Sequence, residues 1–127
     1  MHEVDMTRSL ILTLKDWWES QPERPQIETV HLMVGQFTCV EPASLEFAFA
    51  AQSRETFLAG ATLVIEETPL IAFCDRCQDE YRPEIGLQYA CPQCQAPMTE
   101  IRSGRELKID RIEYAHPTTS ETYASNL

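Results

Sequence analysis

Near the start of the chain Met6, Leu10, Leu14 and Trp17, with Ile11 and Trp18 beside them, recur at helical spacing. That stripe predicts an amphipathic helix over about residues 5–20, stopped by Pro22 and Pro25. It reads as core packing, tryptophans included. From Ile27 to Val34 the period drops to two, with Val30, Leu32 and Val34 on one face and Thr29, His31 and Met33 on the other. This predicts a half-buried strand ended by Gly35. Pro42 stands where a second helix takes its first-turn residue, Leu45, Ala48, Phe49 and Phe57 continue that helix, and Gly60 is placed as its left-handed C-cap. A β-branched run from Ala61 to Ile65 begins a second strand that continues past Pro69 towards Phe73, the proline marking an edge or a bulge. Leu107 and Ile109 alternate, and Ile112 and Tyr114 resume one step out of phase, which predicts a third strand with a bulge. Beyond residue 115 the chain turns Thr/Ser/Pro-rich without a period, which predicts a disordered tail over 116–127.

These elements predict an α+β fold, a three-stranded sheet with two helices on one face and an inserted zinc-ribbon-like module built on four cysteines. The expected division is a discontinuous α/β domain of residues 1–72 and 99–115, a metal-held module of 73–98, and the tail. With 127 residues and 43% hydrophobic positions, one core suffices. The net charge of −10 and absence of any basic cluster argue against nucleic-acid binding, which needs cations to displace phosphate counterions. No run of about 18 apolar residues indicates a membrane span. An acidic start, Met1-His2-Glu3-Val4-Asp5-Met6, is unlike an export signal, so a reducing cytoplasm is the expected setting.

The cysteines carry the sharpest chemistry. Cys74-Asp75-Arg76-Cys77 and Cys91-Pro92-Gln93-Cys94 are two C-x2-C pairs separated by thirteen residues. Each pair can place two thiolates on one side of a turn, and two such knuckles make the tetrahedral all-sulfur cage that Zn2+ prefers. Ordinary thiols, two disulfides or an iron centre are the competing readings, since four tetrahedral sulfurs also suit iron. A closed cage leaves no coordination position for water or substrate, so a zinc there is structural. Cys39 stands apart and is expected to be a small buried hydrophobe.

No phosphate loop, nucleophile elbow or catalytic constellation occurs, so no enzyme is predicted. His31, mid-strand, and His116, before Pro117, read as structural or solvated. His2 differs because of its position. Its imidazole, the α-amine of Met1 and the backbone amide nitrogens of His2 and Glu3 can surround one ion in a plane, an arrangement that suits Ni(II) or Cu(II). A frayed terminus with a chance histidine is the alternative.

Four separated features then form one pattern: Met1-His2-Glu3, the stretch Val40-Glu41-Pro42-Ala43-Ser44-Leu45-Glu46-Phe47-Ala48-Phe49, the double C-x2-C, and Ser103-Gly104-Arg105-Glu106-Leu107-Lys108-Ile109. Over about residues 1–114 the chain resembles the HypA/HybF family of hydrogenase nickel-incorporation proteins. The resemblance implies a nickel metallochaperone for [NiFe]-hydrogenase and, in some organisms, urease. It maps the nickel ligands onto Met1, His2 and Glu3, with an acidic neighbour at Glu41, and structural zinc onto Cys74, Cys77, Cys91 and Cys94. Implied partners are a nickel-handling GTPase, HypB, the hydrogenase large subunit and, for some members, urease accessory proteins. A zinc-ribbon interaction or nucleic-acid-associated module, and a rubredoxin-like electron carrier, are the readings it competes with.

Overall fold

The computed structural model describes residues 3–115 and 122–125. In chain order the elements are α1 (Glu3–Ser20), β1 (Gln26–Gly35), a 3-10 turn (Gln36–Thr38), α2 (Pro42–Ser53), β2 (Thr62–Thr68), β3 (Ile71–Cys74), β4 (Asp79–Tyr81), β5 (Glu100–Ser103), β6 (Leu107–Ala115) and β7 (Thr122–Ser125). Two compact units result. The first draws on the chain up to Leu32, on Val40–Ile65 and on the chain from Ile109 onward; the second comprises Met33–Cys39 and Glu66–Lys108.

In the first unit α1 packs against α2, and the sheet runs in the order β2-β1-β6-β7. Met6, Leu10 and Leu14 are buried as the helical stripe requires, as are Val30 and Leu32 of β1, Leu45, Ala48 and Phe49 of α2, Leu63 of β2 and Ile112 of β6. Burying each such Leu, Ile or Phe contributes about 1.5–3 kcal/mol. Both tryptophans finish the packing. Trp18 stacks on Phe57 at 4.8 Å between ring centroids and donates its indole N–H to the Pro25 carbonyl at 2.8 Å, while Trp17 tilts against Tyr114 at 5.3 Å.

Three expectations change here. α2 ends at Ser53, a full turn and more before Gly60. Both the backbone N–H and the hydroxyl of Thr56 turn back onto the Ser53 carbonyl, at 3.2 and 2.6 Å, and the Thr56 hydroxyl accepts from the Leu58 N–H at 3.1 Å. A hydroxyl that offers the backbone local bonds ends a helix there, and Gly60 (φ +85°) sits in the turns that follow. The predicted strand through Pro69 is in fact two, β2 and β3, which belong to different sheets. Proline cannot donate to a ladder, and the chain changes sheets there. Third, residues 122–125 of the expected tail form β7, antiparallel to β6 from Ile112↔Ser125 to Ala115↔Thr122. A four-residue strand held by backbone bonds leaves no period to read. The remaining residues of the tail, His116 among them, lie outside the described residues.

The second unit has its own sheet, β4-β3-β5, with Ala72 and Leu70 buried. β3 pairs with β4 through Ala72↔Tyr81, Phe73↔Glu80 and Cys74↔Asp79. Arg102 on β5 lies over the Phe73 ring at 4.1 Å and reaches Glu80 on β4 at 3.8 Å, besides pairing with Glu100, so one side chain spans all three strands. The Ser-Gly-Arg-Glu stretch proves to be a clasp. Ser103 donates its hydroxyl to the Pro69 carbonyl at 2.7 Å, and the Glu106 carboxylate accepts from the Gly104 N–H at 2.6 Å and the Thr68 hydroxyl at 3.1 Å. Gly35 and Phe37 donate backbone N–H groups to Glu106 and Gly104 carbonyls at 2.6 and 2.8 Å. Gly104 (φ +107°) admits no larger residue, because a Cβ there would lie 2.5 Å from the Leu70 Cα.

Candidate metal centres

The four knuckle thiols converge. Cys74 Sγ and Cys94 Sγ are 3.5 Å apart, Cys77 Sγ and Cys91 Sγ are 3.8 Å apart, and all four lie within 4.8 Å of one another. A tetrahedron with zinc–sulfur bonds of about 2.3 Å has sulfur–sulfur edges of about 3.8 Å, so the donor set fits zinc. β3 delivers Cys74 at its last residue, and the turn into β4 carries Cys77. Cys91 is anchored from both sides, donating its N–H to the Ala96 carbonyl at 2.9 Å and accepting from the Gln95 N–H at 2.8 Å. Cys74 and Cys91 are buried, whereas Cys77 and Cys94 are half-buried.

Two of the thiols, Cys91 and Cys77, are shifted in opposite directions. Backbone N–H groups of Cys94, and then of Gln93, stabilise the Cys91 thiolate and bring it down to about 7, with burial opposing. The neighbouring Cys94 sulfur, then burial, push Cys77 up to about 12. Crowded sulfurs share protons until a dication replaces them, which couples metal binding to proton release. Burial and the nearby sulfurs also raise Tyr81, whose hydroxyl donates to the Tyr89 carbonyl at 2.7 Å.

Two residues of this centre escaped the sequence reading. Gln78 and Gln95 each follow the second cysteine of a pair, at φ +53° and +63°. Gln78 Nε2 donates to the Asp75 carbonyl at 2.5 Å and Gln95 Nε2 to the Pro92 carbonyl at 3.5 Å. Their signal was present as a repeat, Cys-Asp-Arg-Cys-Gln and Cys-Pro-Gln-Cys-Gln.

The second candidate region lies in the first unit. Glu3, at the first described turn of α1, and Glu41, the N-cap of α2, line one open groove of about 680 Å3 together with Val4, Phe47 and Gln52. Gln52 Nε2 donates to the Val4 carbonyl at 3.1 Å, tying the start of α1 to α2. Glu41 caps with no side-chain hydrogen bond, so its exposed carboxylate is not spent on the helix. Glu3 and Asp5 in the first turn of α1 complement the helix dipole. Met1 and His2 lie outside the described residues. Cys39 is exposed, not buried, and adopts φ +58° as the left-handed residue closing the 3-10 turn. A residue that must reverse the chain on a surface loop cannot also fill a core. His31 meets Glu113 at 2.7 Å between Nε2 and Oε1, and that bond, ahead of Arg111, holds the Glu113 carboxyl below its ordinary value.

A family model described as hydrogenase/urease nickel incorporation, metallochaperone, hypA matches residues 1–114. The chain belongs to the HypA family. The hydrogenase maturation factor HypA of Synechococcus sp. (strain JA-2-3B'a(2-13)) is 72% identical over 113 residues, covering 89% of this chain and 86% of that one. The guanidine hydrolase-activating protein A of Synechocystis sp. (strain ATCC 27184 / PCC 6803 / Kazusa) is 65% identical over 114 residues, covering 90% and 95%. The solution structure of the Ni metallochaperone HypA from Helicobacter pylori superposes with a TM-score of 0.64 at 22% identity, covering 90% of this chain and 97% of that one. HypA-family membership agrees with the α+β fold, the two helices and the four-cysteine cluster. Among the described residues no helix is long and apolar enough to cross a membrane.

Proposed function

We propose that this chain is a cytoplasmic nickel carrier that holds Ni(II) at its N-terminus and delivers it to a maturing metalloenzyme, with no chemistry of its own on an organic substrate. The α-amine of Met1, the imidazole of His2 and the backbone amide nitrogens of His2 and Glu3 bind the ion in a plane, and Glu3 and Glu41 supply carboxylates beside it. One observation carries this reading. The helix start that bears Glu3 and the helix cap that bears Glu41 border the same open groove, and Glu3 directly follows Met1 and His2 in sequence. A carrier needs a site that exchanges, and an exposed terminal chelate exchanges more readily than a closed thiolate cage. Zinc at Cys74, Cys77, Cys91 and Cys94 holds the second unit and supplies rigidity alone, because four thiolates occupy all four tetrahedral positions.

The GTPase HypB and the hydrogenase large subunit are the partners that follow for a hydrogenase role, with urease accessory proteins the equivalents in a urease role. A second recipient has specific support, since the relative at 65% identity is named for activating a guanidine hydrolase. The test has two parts. Ni(II) titration of protein with its native N-terminus gives micromolar binding that His2→Ala abolishes; equal binding by both proteins would sink the proposal. Nickel-loaded protein is then offered to the metal-free hydrogenase large subunit and to a metal-free guanidine hydrolase, and the enzyme that gains nickel is the recipient.

A further inference from the structure

The two knuckles share a feature that zinc ligation alone does not require. Immediately after the second cysteine of each pair the backbone turns left-handed, at Gln78 (φ +53°) and Gln95 (φ +63°). Reversing the chain there lets both sulfurs of a pair point to one side. Glycine reaches that conformation without steric cost, and asparagine more readily than most residues. Glutamine does neither, yet this chain places glutamine at both positions. In each case the side chain folds back and donates Nε2 to the carbonyl of the residue following the first cysteine, Asp75 at 2.5 Å and Pro92 at 3.5 Å. The same three-residue loop is thereby closed twice, by the same group, in two knuckles of different sequence.

We infer that Gln78 and Gln95 are positioning residues that lock the two knuckles in the metal-binding conformation and slow release of the zinc ion. The amide bond runs across the mouth of the turn. Spreading the turn so that its two cysteines part stretches this bond. Gln78 is the stronger lock, because its bond is shorter. The Gln95 amide stands at the limit of hydrogen-bond length, and its oxygen also accepts from Gln88 Nε2 at 3.4 Å, which ties the second knuckle to the turn that Glu84 and Gln88 close. This inference rests on the zinc assignment and is independent of nickel.

Glycine substitution separates the lock from simple tolerance of a left-handed backbone. If the glutamines merely endure the turn, Gln78→Gly relieves strain and retains zinc as well or better. If the amide holds the knuckle, the same variant keeps one zinc per chain and its melting temperature but releases the metal faster. Zinc transfer to a chromophoric chelator is the measurement, with the absorption of the Co(II)-substituted protein as a check on tetrahedral four-sulfur geometry. The amides bond the knuckle backbone and no sulfur, so their effect should fall at the low end of the 10–100-fold that groups bonded directly to metal ligands carry: at most about tenfold faster release for Gln78→Gly, and a smaller effect for Gln95→Gly. Gln78→Asn is the third variant. It tolerates the left-handed backbone and keeps an amide one methylene too short to bridge, so it behaves as glycine does. Release from all three variants within twofold of the wild type would overturn the inference, as would faster release from the asparagine variant alone. Failure to bind any zinc at all, with the cysteines intact, would show the glutamines to be essential for assembly and would likewise overturn a role confined to release.

Discussion

The cysteine cage and the groove at the start of the chain differ in the properties that decide how long a metal stays. In the cage four soft donors lie within 4.8 Å of one another, two of them buried, and one of them, Cys74, ends the central strand of a three-stranded sheet clamped by Arg102. The groove is open, bordered by two carboxylates on the starts of two different helices and by Val4 and Phe47, both more than half exposed. A metal enclosed by thiolates contributes folding energy and stays; a metal on an exposed terminus can be handed on. On the proposed function, the two regions separate what builds the protein from what it transports.

The largest effect that sharpens this contrast is removal of a cage ligand. Cys91→Ser removes a buried sulfur whose thiolate is already favoured by backbone N–H groups. Structural zinc sites carry on the order of 10 kcal/mol of binding energy, so amide protection over residues 66–108 should collapse while that of α1 persists. Equal loss in both units would break the distinction.

Next comes the reverse experiment. Leu14 is fully buried in the first unit, and Leu14→Ala should lower its stability by about 2–5 kcal/mol. Chemical denaturation followed by tryptophan fluorescence reads that loss, since Trp17 and Trp18 both pack in this unit. Zinc content should stay at one per chain.

Gly104→Ala probes the clasp of the second unit. It places a Cβ 2.5 Å from the Leu70 Cα at a left-handed φ, and a cost of about 1–3 kcal/mol is expected from the backbone conformation before any clash. Faster zinc release without change in nickel affinity would be its signature.

The smallest effect is electrostatic, and each unit supplies one case. Backbone N–H groups of Glu106 itself and of Gly104, with the Thr68 hydroxyl, hold the Glu106 carboxyl below its ordinary 4.5, and the His31 bond does the same for Glu113. A carboxylate lowered in the folded state adds stability above its unfolded pKa, and that stability is lost as pH falls through the folded value. Glu106→Gln and Glu113→Gln should therefore be less stable than the wild type at neutrality, and the gap should close as pH falls below about 4.5. Denaturation midpoints measured across that range read the effect. A gap that stays open well below that pH, in either variant, would contradict the assignment.

Much of this was legible in the chain because it depends on short-range rules. The stripe of Met6, Leu10 and Leu14 and the alternation of Val30, Leu32 and Val34 survive intact, since one apolar face can only be buried one way. Cysteine spacing announced the cage. What stayed hidden depended on local hydrogen bonds or on backbone alone. The Thr56 hydroxyl ended α2 early, Pro69 divided one expected strand between two sheets, and β7 formed on β6 without a hydrophobic pattern. Gln78 and Gln95 were visible only as a repeated letter until the left-handed turns gave them a task. Cys39 misled because an isolated cysteine is usually buried, whereas this one closes an exposed turn.

The separation of resident metal from cargo is tested most directly by counting both metals in protein carrying one extra residue ahead of Met1. That addition moves the α-amine away from His2 and leaves every cysteine untouched. Elemental analysis after nickel loading should give one zinc and one nickel for the native N-terminus, and one zinc with no nickel for the extended form. Full nickel retention by the extended protein, or nickel gained at the expense of zinc, would contradict the account.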